Sequence, residues 1–160
     1  MAGFFNDHTV RMLKVVSTVS LGYYVGSVLH RVMVVQPALL EESVTAAAKT
    51  MRGIVRHSTS IPVTMMLGSL AQFSKYFVEY GTPRQDKSDL LRGCIMMAFL
   101  PVTLGKVEKI NREFLKEDED ESFQNADAKW MRLLSEWTRL HYGCGTVALF
   151  LFSSIVYRDS

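Results

Sequence analysis

The sequence predicts an all-α integral membrane protein: a four-helix bundle running up-down-up-down, with one amphipathic helix on its surface. Three observations predict it. The apolar residues are gathered into four runs, each approaching the ~20 residues that a spanning helix needs. The charged residues fill the gaps between those runs. The connection between the second and third runs is short and the other two are longer, an order that suits an up-down bundle with both termini on one side. Hydrophobic residues make up 48% of the 160-residue chain, an ordinary value for a soluble protein. The clustering therefore carries the reading, and the average does not. One domain is expected for this length.

The first span is expected near residues 12–35. The N-terminal Met-Ala-Gly-Phe-Phe-Asn-Asp-His has no basic region, and no small-residue cleavage site follows the apolar run. A retained membrane helix is expected there, and not a cleaved signal. Thr18, Gly22, Gly26 and His30 fall four apart on one stripe. Small residues at that spacing let a second helix approach closely. His30 and Arg31 are expected to snorkel at the interface. Pro37 is expected to open a new helix. From 38 to 57, Leu39, Leu40, Val44, Ala47, Met51, Ile54 and Val55 alternate with Glu41, Glu42, Lys49, Arg52 and Arg56. That pattern predicts an amphipathic helix outside the hydrocarbon core.

The second span is expected near 60–80, opened by Ser58-Thr59-Ser60-Ile61-Pro62 and closed by Gly81-Thr82-Pro83. Lys75 and Glu79, spaced i, i+4 near its end, read as an interfacial pair whose side chains reach water. The third span is expected near 90–114. Pro101 lies inside it and predicts a kink, with Thr103 near enough to help satisfy the backbone. The five consecutive acids Glu117 to Glu121 predict a solvated hairpin loop. The fourth span is expected near 129–157. Trp130, Leu134, Trp137, His141, Cys144 and Ala148 fall three or four apart and so share one face. Gly143 and Gly145 mark where a neighbouring helix can come close. Cys94 and Cys144 each sit in an apolar run and are expected to be buried thiols.

The net charge is +2, too small to point to nucleic acid as a partner. The sequence contains no phosphate loop, zinc signature, nucleophile triad or haem motif. No cofactor and no metal are expected. The lipid bilayer is the expected surrounding.

Pro101-Val102-Thr103, Asn111-Arg112-Glu113-Phe114-Leu115 and Trp137-Thr138-Arg139-Leu140-His141 resemble the anthrone-oxygenase-like family of small four-helix membrane proteins. The glycine-bearing first helix running into Pro37-Ala38-Leu39-Leu40 fits the same resemblance. Two positions depart from the family's pattern. Val102 stands where an aromatic is usual, and Cys144 stands where an Arg usually follows the helix-four His. The resemblance implies a cofactor-free oxygenase that acts on a polycyclic aromatic substrate. In that reading His141 is the base, Trp137 stacks on the rings, and Asn111 or Thr103 donates to the oxyanion. By axial level, His141 should lie opposite Pro101 and Thr103, with Asn111 opposite Trp130 or Leu134.

The expectation that carries more of the sequence is a non-catalytic accessory subunit of a larger membrane complex, with other membrane-protein subunits as partners. Gly22 and Gly26, Pro101, Gly143 and Gly145 would then serve helix packing. The nine methionines and the lost Arg point the same way. An energy-converting membrane such as the mitochondrial inner membrane suits such a subunit, although no residue names the organelle.

Overall fold

The computed structural model describes the backbone of residues 2–57, 60–115 and 123–159, and side chains within 7–57, 62–115 and 127–158. Ser58, Thr59 and the acidic run 117–121 lie outside the described residues. Five helices account for nearly all of the described chain, and no strand occurs among the described residues. Helix α1 runs over Ala2–His30, widens into a π-helical turn at Arg31–Val35, and continues as Gln36–Glu41. Helix α2 is Val44–Arg56 and α3 is Ser60–Val78. Helix α4 comprises Lys87–Pro101, a second π-turn at Val102–Val107, and Glu108–Leu115. Helix α5 is Phe123–Asp159.

Pro37 does not open a new helix, contrary to the sequence expectation. It continues α1 just past the first π-turn. A proline ring displaces the carbonyl one turn back, here that of Met33, and the π-turn, looser by one residue, absorbs the displacement. The break comes instead at Glu42, which is extended, and Ser43 caps α2 by accepting from the Ala46 N–H. The kink expected at Pro101 takes the form of the second π-turn, which follows it directly. There the Thr103 hydroxyl donates to the Phe99 carbonyl at 3.0 Å. Helix α3 ends where expected, with Gly81 in the left-handed region at φ 74°. Asp86 caps α4, accepting from the Ser88 N–H at 2.8 Å.

Helix α1 packs on α3 and α5, α3 packs on α4, and α2 lies on the far end of α4. Two apolar cores result. The first joins Leu21, Tyr24 and Val28 of α1 to Met65, Met96, Ala148 and Leu151. The second puts Ala47, Met51 and Val55 of α2 against Leu39, Ile110, Phe114, Trp130, Leu134 and Trp137. The amphipathic face of α2 therefore roofs the distal ends of α4 and α5. The six residues expected on one face of α5 are all buried.

Among the described residues, three helices are long and apolar enough to cross a membrane: Asp7–Glu41, Lys87–Leu115 and Asp127–Arg158. Helix α3 is not among them. Its polar residues Ser69, Gln72 and Lys75 are buried, while Val63, Met66, Leu67, Leu70 and Phe77 are exposed. Cys144 is buried as expected, but Cys94 faces outward.

The small residues divide. A Cβ on Gly145 would stand 2.8 Å from Val28 of α1, and one on Gly22 would stand 3.2 Å from the Phe152 ring. At Gly26 and Gly143 nothing lies within 4 Å. The expected stripe on α1 thus turns away from the bundle at Gly26, and its contact at Gly22 is with a bulky ring. The reason is phase: Leu21, Tyr24, Val25 and Val28 form the buried face, leaving Gly26 opposite. Pro101 is likewise exposed. We expect Gly145→Leu to destabilise the protein by about 1–3 kcal/mol, the usual cost of overpacking. Gly26→Leu should change stability by less than about 0.5 kcal/mol. Thermal unfolding in a fixed detergent measures both, and equal losses would refute the assignment.

Candidate functional site

Two polar clusters interrupt the apolar interior. One lies at the level of both π-turns. Trp137 and His141 are one turn apart on α5, so their side chains meet: the ring centroids are 4.0 Å apart and tilted by 35°. His141 Nδ1 lies 2.8 Å from the Trp137 carbonyl. A carbonyl can only accept, so Nδ1 carries the hydrogen, and a neutral ring keeps its lone pair on Nε2. His141 is 6% exposed and Trp137 is fully buried.

A cavity of about 70 Å³ adjoins the imidazole. Tyr24, Arg31, Thr103, Glu108, Asn111 and His141 are the polar residues that line it. The structure therefore brings Thr103, Asn111 and His141 together, with Trp137 stacked behind. Asn111 stands along α4 at the level expected for it: its neighbours Ile110 and Phe114 pack against Trp130 and Leu134, with the Phe114 and Trp130 ring centroids 5.2 Å apart. The cavity runs along α4 from Thr103, inside the π-turn, to Asn111 about two turns further on. Asn111 Oδ1, Trp137 Nε1 and Thr138 Oγ1 are buried without a hydrogen-bond partner. Polar walls of this kind suit ordered water.

Sequence reasoning placed Arg31 at the interface beside His30. His30 is exposed, but Arg31 lines the cavity. The signal was present: Tyr24, Val28 and Arg31 follow i, i+4, i+7 and so share one face of α1.

The second cluster lies at the opposite end of the bundle. Asp89 is 0% exposed. Lys75 Nζ lies 2.9 Å from its Oδ2, at an angle that makes the contact ionic and not a hydrogen bond. Arg92 Nη1 donates to Oδ1 at 3.1 Å and stands on α4 one turn later. Arg92 also reaches α5, donating to the Ser154 hydroxyl and carbonyl at 3.2 Å each. Arg158 of α5 pairs with Asp86 and lies 3.7 Å from Asp89. The expected Lys75–Glu79 pair in contact with water is replaced by this arrangement. Both residues are buried, and Lys75 turns to α4. Asp89 was missed as a partner. The readable signal was an acid three residues before Arg92 at the head of an apolar run.

No protein-family model matches the chain, and no curated protein or solved structure is significantly similar to it.

Removing one partner of a buried ion pair leaves the other charge uncompensated, at a cost of about 3–5 kcal/mol. Asp89→Ala strands both Lys75 and Arg92, so a loss in that range is expected in detergent unfolding titrations. A loss below about 1 kcal/mol, the worth of an exposed pair, would mean that the cluster is solvated.

Proposed function

We propose that the chain is an integral membrane four-helix bundle, up-down-up-down, serving as a non-catalytic accessory subunit of a larger membrane complex. The observation that carries this reading is how the interior is filled. The polar side chains among the spanning helices are bonded to one another: Ser69 to the Gly93 carbonyl at 2.9 Å, Gln72 to Ser17 at 2.5 Å, and Lys75, Asp89 and Arg92 together. The polar cavity beside His141 is about 70 Å³. A flat multi-ring substrate needs a few hundred Å³.

Helix α3 is the fourth span in this reading. Its polar residues point inward, while its outward residues are apolar. Its 19 residues cover about 28 Å at ~1.5 Å per residue. The stretches from Lys14 to Arg31, Asp89 to Lys106, and Arg139 to Arg158 cover about 25–29 Å on the same rise. All four match a hydrocarbon core of about 30 Å. Beyond that slab, α1, α2, α4 and α5 build a head around the second core. The head leaves Met33, Val34, Leu40 and Met131 about half or more exposed. Apolar side chains in that position, outside the bilayer, suit a covering subunit.

One observation favours a second reading, an oxygenase of the anthrone-oxygenase type. His141, Thr103 and Asn111 share a cavity, and Arg31 supplies from α1 a cation of the kind that α5 lacks at Cys144. His141 Nε2 would act as the base. That chemistry requires the cavity to enlarge.

Extraction of the native membrane with a mild detergent should release the chain in a particle far larger than its 18.1 kDa. Migration as a free chain would overturn the accessory reading. The Asn111→Leu variant separates the two readings further. Replacing an unsatisfied buried acceptor by an apolar group of similar size is close to neutral, so assembly and abundance should persist. Loss of an oxygen-consuming activity with assembly intact would favour the oxygenase. Cysteines placed at Lys49 and Gln85, in a chain lacking Cys94 and Cys144, should react with an impermeant maleimide from opposite sides of the membrane. Reaction from the same side would remove α3 as a span.

A further inference from the structure

The charges at the two ends of the bundle are treated differently. At the Asp89 end, they form ion pairs: Lys75 and Arg92 with Asp89, Arg158 with Asp86, and Arg84 with Asp7. At the head end, a groove of about 730 Å³ runs between α4 and α5. Five basic residues line it, Lys106, Lys109, Lys129, Arg132 and Arg139, against Glu113 and Glu136. Lys106, Lys109, Arg132 and Arg139 are exposed. Among the described residues these four make no ion pair with either carboxylate. The excess of positive charge in this one groove exceeds the +2 of the whole chain.

The geometry points to this groove as a binding site for the headgroup of an anionic phospholipid. Position selects a lipid over a soluble anion. Lys106 and Arg139 stand at the boundary of the proposed span. Just inside it, Leu104 and Tyr142 are exposed. From Arg139 the groove follows α5 outward to Lys129, about 15 Å at ~1.5 Å per residue, the depth of a headgroup layer. Ile110, Leu133 and Leu140 give the groove an apolar floor. A phosphodiester at the boundary would meet Lys106 and Arg139. Substituents further out would meet Lys109 and Arg132. Basic pockets beside spanning helices recognise anionic headgroups in this way. The site rests on the proposed membrane placement of the four helices, and is independent of whether the chain belongs to an assembly.

The test uses the full chain purified in a neutral detergent and titrated with single phospholipids, with bound lipid counted by native mass spectrometry. Each basic side chain at an anionic lipid surface contributes about fivefold. Phosphatidylglycerol should therefore be retained at least about tenfold more tightly than phosphatidylcholine. The double variant Arg132→Gln/Arg139→Gln should lose that preference, while Arg84→Gln at the opposite end should keep it. All three positions are exposed, and circular dichroism checks that the helices persist. Equal retention of phosphatidylglycerol by the wild type and the double variant would overturn the proposal. So would tighter binding of inorganic triphosphate or of an acidic peptide than of the lipid, which would make the groove a site for soluble anions. Failure here with a large native particle intact would leave the accessory reading standing, and the reverse result would separate them equally well.

Discussion

Asp89 is a carboxylate with no exposed surface, and three helices are arranged around its charge. Lys75 comes to it from α3, Arg92 from its own helix, and Arg158 from α5. A bilayer offers no water to solvate such a group, so its partners must come from the protein. That requirement fixes the axial register of α3, α4 and α5 at one end. The Ser17–Gln72 bond extends the register to α1, and the Ser69–Gly93 bond repeats it one turn deeper between α3 and α4. Buried ion pairs are weak sources of stability, since desolvation offsets most of the Coulomb gain. Their contribution here is to register. A slip of one turn would leave Lys75 or Asp89 alone in an apolar interior.

Register at one end has consequences at the other. With α1, α4 and α5 aligned at Asp89, both π-turns fall at the level of His141. The wide turns re-phase α1 and α4 as they leave the spanning bundle, so Leu39, Ile110 and Phe114 turn toward α2 and the upper part of α5 and build the second core. The seam between the two cores is where packing is least complete. The cavity opens there, and three polar atoms remain without partners. The polar seam is thus a product of joining two cores through long continuous helices. Its residues need no catalytic role to explain their burial, although their convergence supplies one if the seam widens.

The parts of this fold legible in the sequence were those written in a single helix's periodicity. The α5 face from Trp130 to Ala148, the end of α3 at Gly81 and the apolar face of α2 followed from spacing alone. The parts that were not legible depend on relations between helices. Gly22 and Gly26 satisfy the same small-residue pattern, yet only Gly22 faces a neighbour, because the larger Tyr24 and Val28 set the buried face of α1. Lys75 and Glu79 suggested a local pair, and only the approach of α4 makes Asp89 the better partner.

The two ends also differ in what they ask of their surroundings. At the Asp89 end, the charges are paired within the chain. The head end keeps unpaired cations at the boundary and exposed apolar side chains beyond it. A basic surface next to a membrane is favoured on the side where the negative surface potential and the positive-inside bias act. In the proposed topology, the loops joining α1 to α3 and α4 to α5 both lie on that side. The apolar face of α2 holds that helix over the head, and in the proposed topology the groove and the exposed side chains of the head lie on one end, where lipid and a protein neighbour would both be engaged.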